Sequence, residues 1–203
     1  MSVTHVEVLV EEPSAEAALR ILLPRILGAV SFEVYQHTCK HELMKRLPQR
    51  LRGYASWLPD DWRIVVVVDR DDDDCAVLKQ QLETMARDAG LRTRASGGVL
   101  QVVNRLAIEE LEAWYFGDWE AVVAAWPRVD PDVPSQARYR DPDGIKGGTW
   151  EAFERVLQAA GYFKAGLRKI EAARAVAAHM DPARNRSNSF RALRNALAGM
   201  VPA

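Results

Sequence analysis

The sequence predicts an α/β protein with a doubly wound, mostly parallel sheet and a C-terminal helical extension. Strand and helix patterns alternate in the order β-α-β-α-β-α-β, which is typical of right-handed crossovers between parallel strands. Residues 64–68 are five consecutive β-branched residues, which suit a central strand covered on both faces. The later residues hold loops and helices instead. We therefore expect an α/β domain over residues 1–127 and a helical extension over residues 128–203 packed on it.

The composition indicates an ordinary globular protein that can bury a sizeable core. The chain has 203 residues, of which 48% are hydrophobic and 27% charged. Its apolar runs are shorter than a membrane span, and its first residues lack the basic start and apolar centre of a secretory signal. The two cysteines are far apart and match no disulfide framework. We expect a cytoplasmic protein with no membrane partner.

The first strand pattern, residues 3–10, ends in Glu11 and Glu12, and a helix with Ser14 as its N-cap is predicted to follow as far as residue 27. The other predicted elements are, in chain order, a strand at 32–36, a basic helix at 40–52, the strand at 64–68, a helix at 74–89, extended pieces at 91–94 and 99–103, helices at 105–118, 118–125, 149–160 and 168–179, and a last helix capped by Ser187 or Ser189.

Five aspartates follow the central strand. Open α/β sheets bind ligands at the carboxyl ends of their strands, and clustered carboxylates repel one another unless a cation or a proton intervenes. Asp69 and Asp71 are two apart, so we expect them to point the same way and share a divalent metal. Alternatively, the acids cap the next helix, and we expect residues 72–74 to do so. Glu11 should lie opposite Asp69 and Asp71 at the same edge.

Two further glutamates are candidate site residues. In the helical pattern at residues 105–118, Glu110 is four residues from both Leu106 and Trp114, on an apolar stripe. Its carboxylate either faces the metal or is exposed while its stem covers Trp114, and the pattern favours neither alternative. Glu112 is the second candidate and would complete the ligand set of an ion.

The charge is unevenly distributed along the chain. Residues 1–132 hold 15 Lys and Arg against 22 Asp and Glu, whereas residues 133–203 hold 12 against 6. A basic half beside an acidic metal site suits a polyanionic ligand, although basic helices are equally often just solvated faces. Lys146 precedes two glycines, so its loop can approach a phosphate closely. The residues expected to bind nucleic acid are Arg138, Arg140, Lys146, Arg184, Arg186 and Arg191.

Several short motifs occur together in a specific order. They are Val10-Glu-Glu-Pro-Ser-Ala-Glu-Ala-Ala-Leu19, Val68-Asp-Arg-Asp71, Glu110-Leu-Glu-Ala-Trp114, Asp141-Pro-Asp-Gly-Ile-Lys146 and Ser187-Asn-Ser-Phe190. This succession, which spans nearly the whole chain, resembles the bacterial family catalogued as domain of unknown function 4276. That family looks like a branch of the Toprim group, which includes topoisomerases, primases and the overcoming-lysogenization-defect nucleases.

The resemblance implies a Toprim-like sheet in which Glu11 and the Asp69-x-Asp71 pair bind Mg²⁺ or Mn²⁺. Lys146 is similar in placement to a lysine that related nucleases keep near the metals. Glu12 departs from the pattern, because the family usually has glycine there. A bulky acid at this position either crowds the metal or supplies another ligand. Relatives are often encoded beside ATPases in antiphage defence systems, so the resemblance implies an ATPase partner.

These observations lead to two functional hypotheses. In the first, the protein is a Mg²⁺-dependent nuclease, with Glu11, Asp69 and Asp71 holding ions that orient water. Lys146 would stabilise an oxygen of the phosphate, and Glu110 or Glu112 would complete a second ion or steer the nucleophile. In the second, it is a non-catalytic subunit that uses the same surface to bind nucleic acid or an ATPase. A second copy of the chain is also considered as a partner.

Two other α/β classes fit less well. A phosphoacceptor receiver also pairs acids after its first strand with an aspartate after its third, but it is shorter and needs no acid at position 71. A phosphatase of the haloacid-dehalogenase type has its Asp-x-Asp motif after the first strand, whereas here the motif follows the third.

Overall fold

The computed structural model describes residues 2–97 and 99–201. Outside this description lie Met1 and Gly98 of the predicted α/β domain and residues 202–203 of the predicted helical extension. The structure confirms the α/β fold: a four-stranded, all-parallel sheet in the order β2-β1-β3-β4. The strands are β1 (His5–Val10), β2 (Ser31–Gln36), β3 (Trp62–Asp69) and β4 (Val102–Ala107). No helix of the described residues is both long and apolar enough to cross a membrane.

In the part of the chain that the structure describes, eight α-helices accompany the sheet. They are α1 (Pro13–Leu27), α2 (Lys40–Trp57), α3 (Cys75–Asp88), α4 (Glu112–Gly117), α5 (Trp119–Ala125), α6 (Thr149–Ala159), α7 (Lys169–His179) and α8 (Asn188–Ala198).

The helices cover the sheet on both faces. Val8 and Val65 point into a core shared with α1 and the C-terminal helices, whereas the alternating residues Leu9 and Val66 point into a second core formed by α2 and α3. This alternation follows from the two-residue period of a strand. The C-terminal helices pack on the α1 face, and one apolar core runs from the first strand to α8.

The fourth strand and the following segment differ from the prediction. The predicted helix at residues 105–118 is wrong in its first half, because Arg105–Ala107 pair with β3 as the end of β4. Hydrogen bonds to a neighbouring strand outweigh the weak helical preference of such a short stretch. The predicted extended piece at residues 91–94 does not join the sheet: Thr93 is extended, but Arg94–Ser96 form a single 3₁₀ turn.

Helix ends follow the predicted capping chemistry in part. Asp74 caps α3 by accepting hydrogen bonds from the backbone N–H groups of Ala76 and Val77, each at 2.9 Å. Ser187 caps α8. Ser14 does not cap α1, because the helix begins at Pro13, one residue before Ser14. The Ser14 hydroxyl donates instead to Glu12.

Candidate metal centre

Glu11 and Asp69 meet at the carboxyl edge of the sheet, as the sequence predicts. Glu11 directly follows β1, and Asp69 is the last residue of β3. These strands are neighbours in the sheet, and the chain reverses its direction of winding between them. Such a switch point leaves a crevice in open α/β sheets. The backbone N–H of Asp69 donates to Glu11 Oε2 at 3.1 Å, and both side chains are buried. Two carboxyl groups are thereby held together in a region of low dielectric.

Burial dominates the proton affinity of this pair. It raises the pKa of Glu11 to about 7, against the opposing hydrogen bond from Asp69 N–H, and the neighbouring charge of Asp71 adds to the rise. Burial raises the pKa of Asp69 well above its usual range, and the charges of Glu11 and Glu12 raise it further. Each group therefore favours a proton or a cation as its neighbour.

Glu112 is the third buried acid of this region. It is the first residue of α4, only 1% of its surface is exposed, and burial raises its pKa to about 8. The charges of Glu12 and Glu110 add to this rise, while Lys169 opposes it. Its Oε2 atom has no hydrogen-bond partner within the described part of the chain. We call Glu11, Glu12, Asp69 and Glu112 the acidic cluster.

Asp71 does not point with Asp69 as expected. The strand ends at Asp69, and Asp71 lies in the following turn with a left-handed φ of 49°. Its carboxylate pairs with Lys40 Nζ at 2.9 Å, and the same ammonium pairs with Asp73 at 2.7 Å. The alternation argument fails because it holds only while the chain remains extended. Asp71 still lies near enough for its charge to raise the pKa of Glu11.

Lys169 is the cation of the acidic cluster, and the sequence did not single it out. It is the first residue of α7, and its Nζ lies 3.8 Å from Glu12 Oε2. Burial opposes its charge, but Glu112, Glu12 and Glu110 raise its pKa overall. No local motif marks this lysine. Only the packing of α7 against α1 brings it to the sheet edge.

Glu110 has a structural role at the start of a helix. It lies in the loop between β4 and α4, and its Oε2 accepts hydrogen bonds from Thr149 N at 2.9 Å, Thr149 Oγ1 at 3.0 Å and Trp150 N at 2.9 Å. These groups form the first turn of α6, so Glu110 caps that helix from a distance in sequence. Both predicted alternatives assumed a helical stripe that the structure replaces with a strand and a loop.

Tyr115 was missed by the sequence reasoning. Its side chain is buried, and its hydroxyl has no hydrogen-bond partner among the described residues. Burial raises its pKa well above the usual range, and the charges of Glu112, Glu12 and Asp69 add to this. It follows Glu112 by three residues on α4. That spacing was the only signal that could have placed it beside the cluster.

The remaining motifs bind one another at the start of α8. Asp143 accepts hydrogen bonds from the hydroxyls of Ser187 at 2.9 Å and Ser189 at 2.7 Å, and from the backbone N–H of Asn188. Trp114 Nε1 donates to Ser189 Oγ at 3.0 Å. The Asp141–Lys146 loop and the Ser187–Phe190 segment are thus parts of one network, which fixes α4 and its Glu112.

The residues predicted to bind nucleic acid lie in two places, the loop before α6 and the segment around the start of α8. Lys146, Arg138 and Arg140 are exposed on the loop before α6, and Lys146 and Arg138 line a hollow of about 280 Å³. Arg184 instead binds both carboxylate oxygens of buried Asp118, at 2.7 and 3.1 Å. The remaining two predicted ligands, Arg186 and Arg191, are exposed beside the start of α8.

The acidic cluster fits a hard divalent cation in its chemistry. Its donors are carboxylate oxygens, the ligands that Mg²⁺ and Mn²⁺ prefer, and a buried Glu112 oxygen lacks a partner among the described side chains and backbone groups. Within residues 2–97 and 99–201, however, no three His, Cys, Asp or Glu side chains already converge on one point as metal ligands. The carboxylates lie within range of one another's charge and would have to turn towards a shared ion.

Comparisons with known proteins identify a family without a described activity. No curated protein and no solved structure matches the chain significantly. A family model described as "Domain of unknown function (DUF4276)" matches residues 10–198. The matched segment begins with the last residue of β1 and ends with the last residue of α8. It therefore includes every acid of the cluster and all the motifs that bind one another around α4. The chain belongs to the DUF4276 family.

Proposed function

We propose that this protein is a Mg²⁺- or Mn²⁺-dependent phosphodiester hydrolase of Toprim type that acts on DNA or RNA. One observation carries the proposal. Glu11, Asp69 and Glu112 come from three different elements and are buried together at the switch point of the sheet, with pKa values raised by burial. Burying several like charges is costly, and a cation is the usual partner that offsets this cost.

The residues of the site would have different roles in the reaction. Glu11, Asp69 and Glu112 would hold the ion, which when bound supplies an activated water and neutralises charge on the phosphate. Lys169, which pairs with Glu12, would attract a phosphate oxygen once Glu12 turns to the metal. Lys146 sits on a separate exposed loop, where it would contact the nucleic acid further from the reacting phosphate. Asp71, held by Lys40, would adjust the charge of the site.

Titration calorimetry with MnCl₂ tests the metal centre directly. We expect a saturable heat for the wild-type protein, and its loss in Asp69→Asn. Asp88→Asn, an exposed aspartate at the end of α3, is the matched control and should keep the heat. Cleavage of labelled DNA and RNA should need Mg²⁺ or Mn²⁺ and should disappear in Asp69→Asn alone. Equal cleavage by wild type and Asp69→Asn would contradict the proposal.

A second candidate is a non-catalytic subunit that binds nucleic acid or a partner ATPase in the cytoplasm, in an antiphage defence system. It is favoured by Glu12, which pairs with Lys169 and thereby neutralises part of the cluster without a metal. A protein of this kind should give no saturable Mn²⁺ heat, and Lys169→Met should lower its stability. Size-exclusion chromatography would show whether it forms a homodimer.

A further inference from the structure

A basic, aromatic groove runs along α2, on the face of the sheet away from the C-terminal helices. Helix α2 carries five Lys and Arg residues and one acid, in a half of the chain that is otherwise acidic. Two hollows of about 580 and 310 Å³ adjoin at Arg50. We call the residues that carry the following argument the α2 groove: Tyr35, Gln36, Arg46, Gln49, Arg50 and Trp57.

The groove leads to the acidic cluster. Gln36 ends β2 and pairs in register with Val10, the residue before Glu11. At the same end, Lys40 Nζ donates to the backbone carbonyl of Arg70 at 2.9 Å, next to Asp69. From there the helix runs back along the sheet for 18 residues, a length of about 27 Å. A chain lying in the groove would therefore reach the cluster at one end and Trp57 at the other.

A buried network holds Arg50 in place. Glu7, only 4% exposed on β1, accepts hydrogen bonds from Tyr54 Oη and, at 3.5 Å, from Tyr35 Oη. Arg50 Nε and Nη2 donate to the same Tyr54 Oη at 3.3 and 3.2 Å. The guanidinium lies 4.1 Å from the centre of the Tyr35 ring. A buried carboxylate thus fixes two tyrosines, which fix an arginine at the surface.

Trp57 presents an aromatic surface at the far end of the groove. It is 54% exposed, yet its ring is supported by Tyr54 at 5.4 Å and by Trp62 at 5.7 Å between centroids. A supported, exposed tryptophan beside a stacked arginine gives flat surfaces for bases, while Arg46 adds charge for phosphates. Among the described residues Arg46 pairs only with Glu42, at 3.0 Å in an i,i+4 pair at the surface that phosphate can displace. Aromatic platforms along a cationic groove are how proteins bind single strands without reading sequence.

We propose that the α2 groove binds single-stranded nucleic acid, with bases stacked on Trp57 and the Arg50–Tyr35 pair and with phosphates bound by Arg46. The inference rests on the proposed function, because it names the substrate class that the acidic cluster would act on. A stacked base needs an exposed face, which a duplex does not offer. The groove therefore selects single strands over duplexes of the same sequence.

Fluorescence anisotropy with a labelled 20-nucleotide strand tests the groove. The full chain is used in EDTA, so that binding is separated from cleavage. We expect Trp57→Ala and Arg46→Gln each to weaken binding about tenfold, and Arg50→Gln by at least as much. Arg52→Gln, an exposed arginine on the same helix outside the groove, is the matched control and should stay within about twofold. Thermal melts confirm that each variant is folded.

The outcomes separate this inference from the proposed function. Weaker binding of a duplex and of an abasic strand than of the normal strand supports stacking in the groove. If Arg52→Gln weakens strand binding as much as Arg46→Gln does, or if heparin competes for the groove as well as an unlabelled single strand does, the protein recognises charge alone. Either result overturns the inference. A wild-type protein that gives Mn²⁺ heat but binds no single strand overturns only the groove. One that binds the strand as expected but gives no Mn²⁺ heat overturns only the hydrolase.

Discussion

Glu110 shows how a single carboxylate can be conspicuous in a sequence for a structural reason. Its Oε2 satisfies two backbone N–H groups and one hydroxyl at the start of α6, which would otherwise be left without partners. We expect Glu110→Ala to lower the free energy of unfolding by about 1–2 kcal/mol, measured by urea denaturation. The Mn²⁺ heat should remain. Loss of that heat with unchanged stability would show instead that Glu110 binds the metal.

Asp143 has a similar capping role at the start of α8. It accepts hydrogen bonds from the hydroxyls of Ser187 and Ser189 and from the backbone N–H of Asn188. Asp143→Asn replaces one acceptor oxygen with a donor that faces these donors. We expect a loss of about 1–3 kcal/mol in stability. Asp132→Asn, an exposed aspartate of the preceding loop, should change the melting temperature little, and an equal shift in both variants would contradict the capping role.

The candidate site was predictable where it depends on strand ends and unpredictable where it depends on packing. Glu11 and Asp69 could be placed together because parallel strands end at one edge of a sheet. Lys169 could not, because its contact with Glu12 exists only once α7 lies on α1. Asp71 was misplaced for a local reason: the strand ends at Asp69, and Asp71 itself has a left-handed φ in the following turn.

At the scale of elements, most strands and helices were predicted close to their observed bounds. The strands that became β1 and β3, and the helices that became α3, α6 and α7, follow their patterns to within a few residues. The segment Arg105–Ala107 was predicted helical but is extended, because β3 offers it backbone partners at Val67, Val68 and Asp69. The pattern of a three-residue strand end carries too little information to compete with a helical pattern that follows it.

The contact between α1 and α7 carries Lys169 to the cluster, and it depends on small residues. Ala173 is fully buried on α7, and Arg25 of α1 donates to the carbonyls of Ala177 and Met180 at the end of α7 at 2.9 and 2.7 Å. We expect Ala173→Leu to cost about 1–3 kcal/mol of stability by overpacking, and to weaken Mn²⁺ binding by displacing Lys169 and its neighbours. Ala178→Leu, an exposed position of the same helix, should have neither effect. Similar losses in both variants would mean that helix propensity, not packing, is measured.

At the scale of the molecule, the chain places its acids and cations on one continuous scaffold. The edge of the sheet supplies Glu11 and Asp69, while α4 and α7 supply Glu112 and Lys169. The core that joins these parts runs from Val3 to Met200 without a break, so the helical extension and the sheet contribute to the same site. A change in the charge of the cluster should therefore alter the stability of the whole fold.

The raised pKa values predict how stability depends on pH. Glu11 and Glu112 keep their protons in the folded state up to about pH 7 and 8, whereas in the unfolded chain they lose them near 4.5. Between these limits the folded state binds more protons, so the metal-free protein should lose stability progressively from about pH 4.5 to about pH 8. We expect the loss to be on the order of a few kcal/mol, measured by urea denaturation at pH 5.5, 7 and 8.5 in EDTA.

Two comparisons test whether the acidic cluster causes this dependence. Glu112→Gln removes one of the buried charges, so its stability should fall less between pH 5.5 and 8.5 than that of the wild type, while Glu120→Gln, an exposed glutamate, should keep the wild-type slope. Saturating Mn²⁺ should restore stability at pH 8.5, because the ion binds the ionised carboxylates of the folded state. Parallel slopes for wild type and Glu112→Gln would place the titrating groups elsewhere.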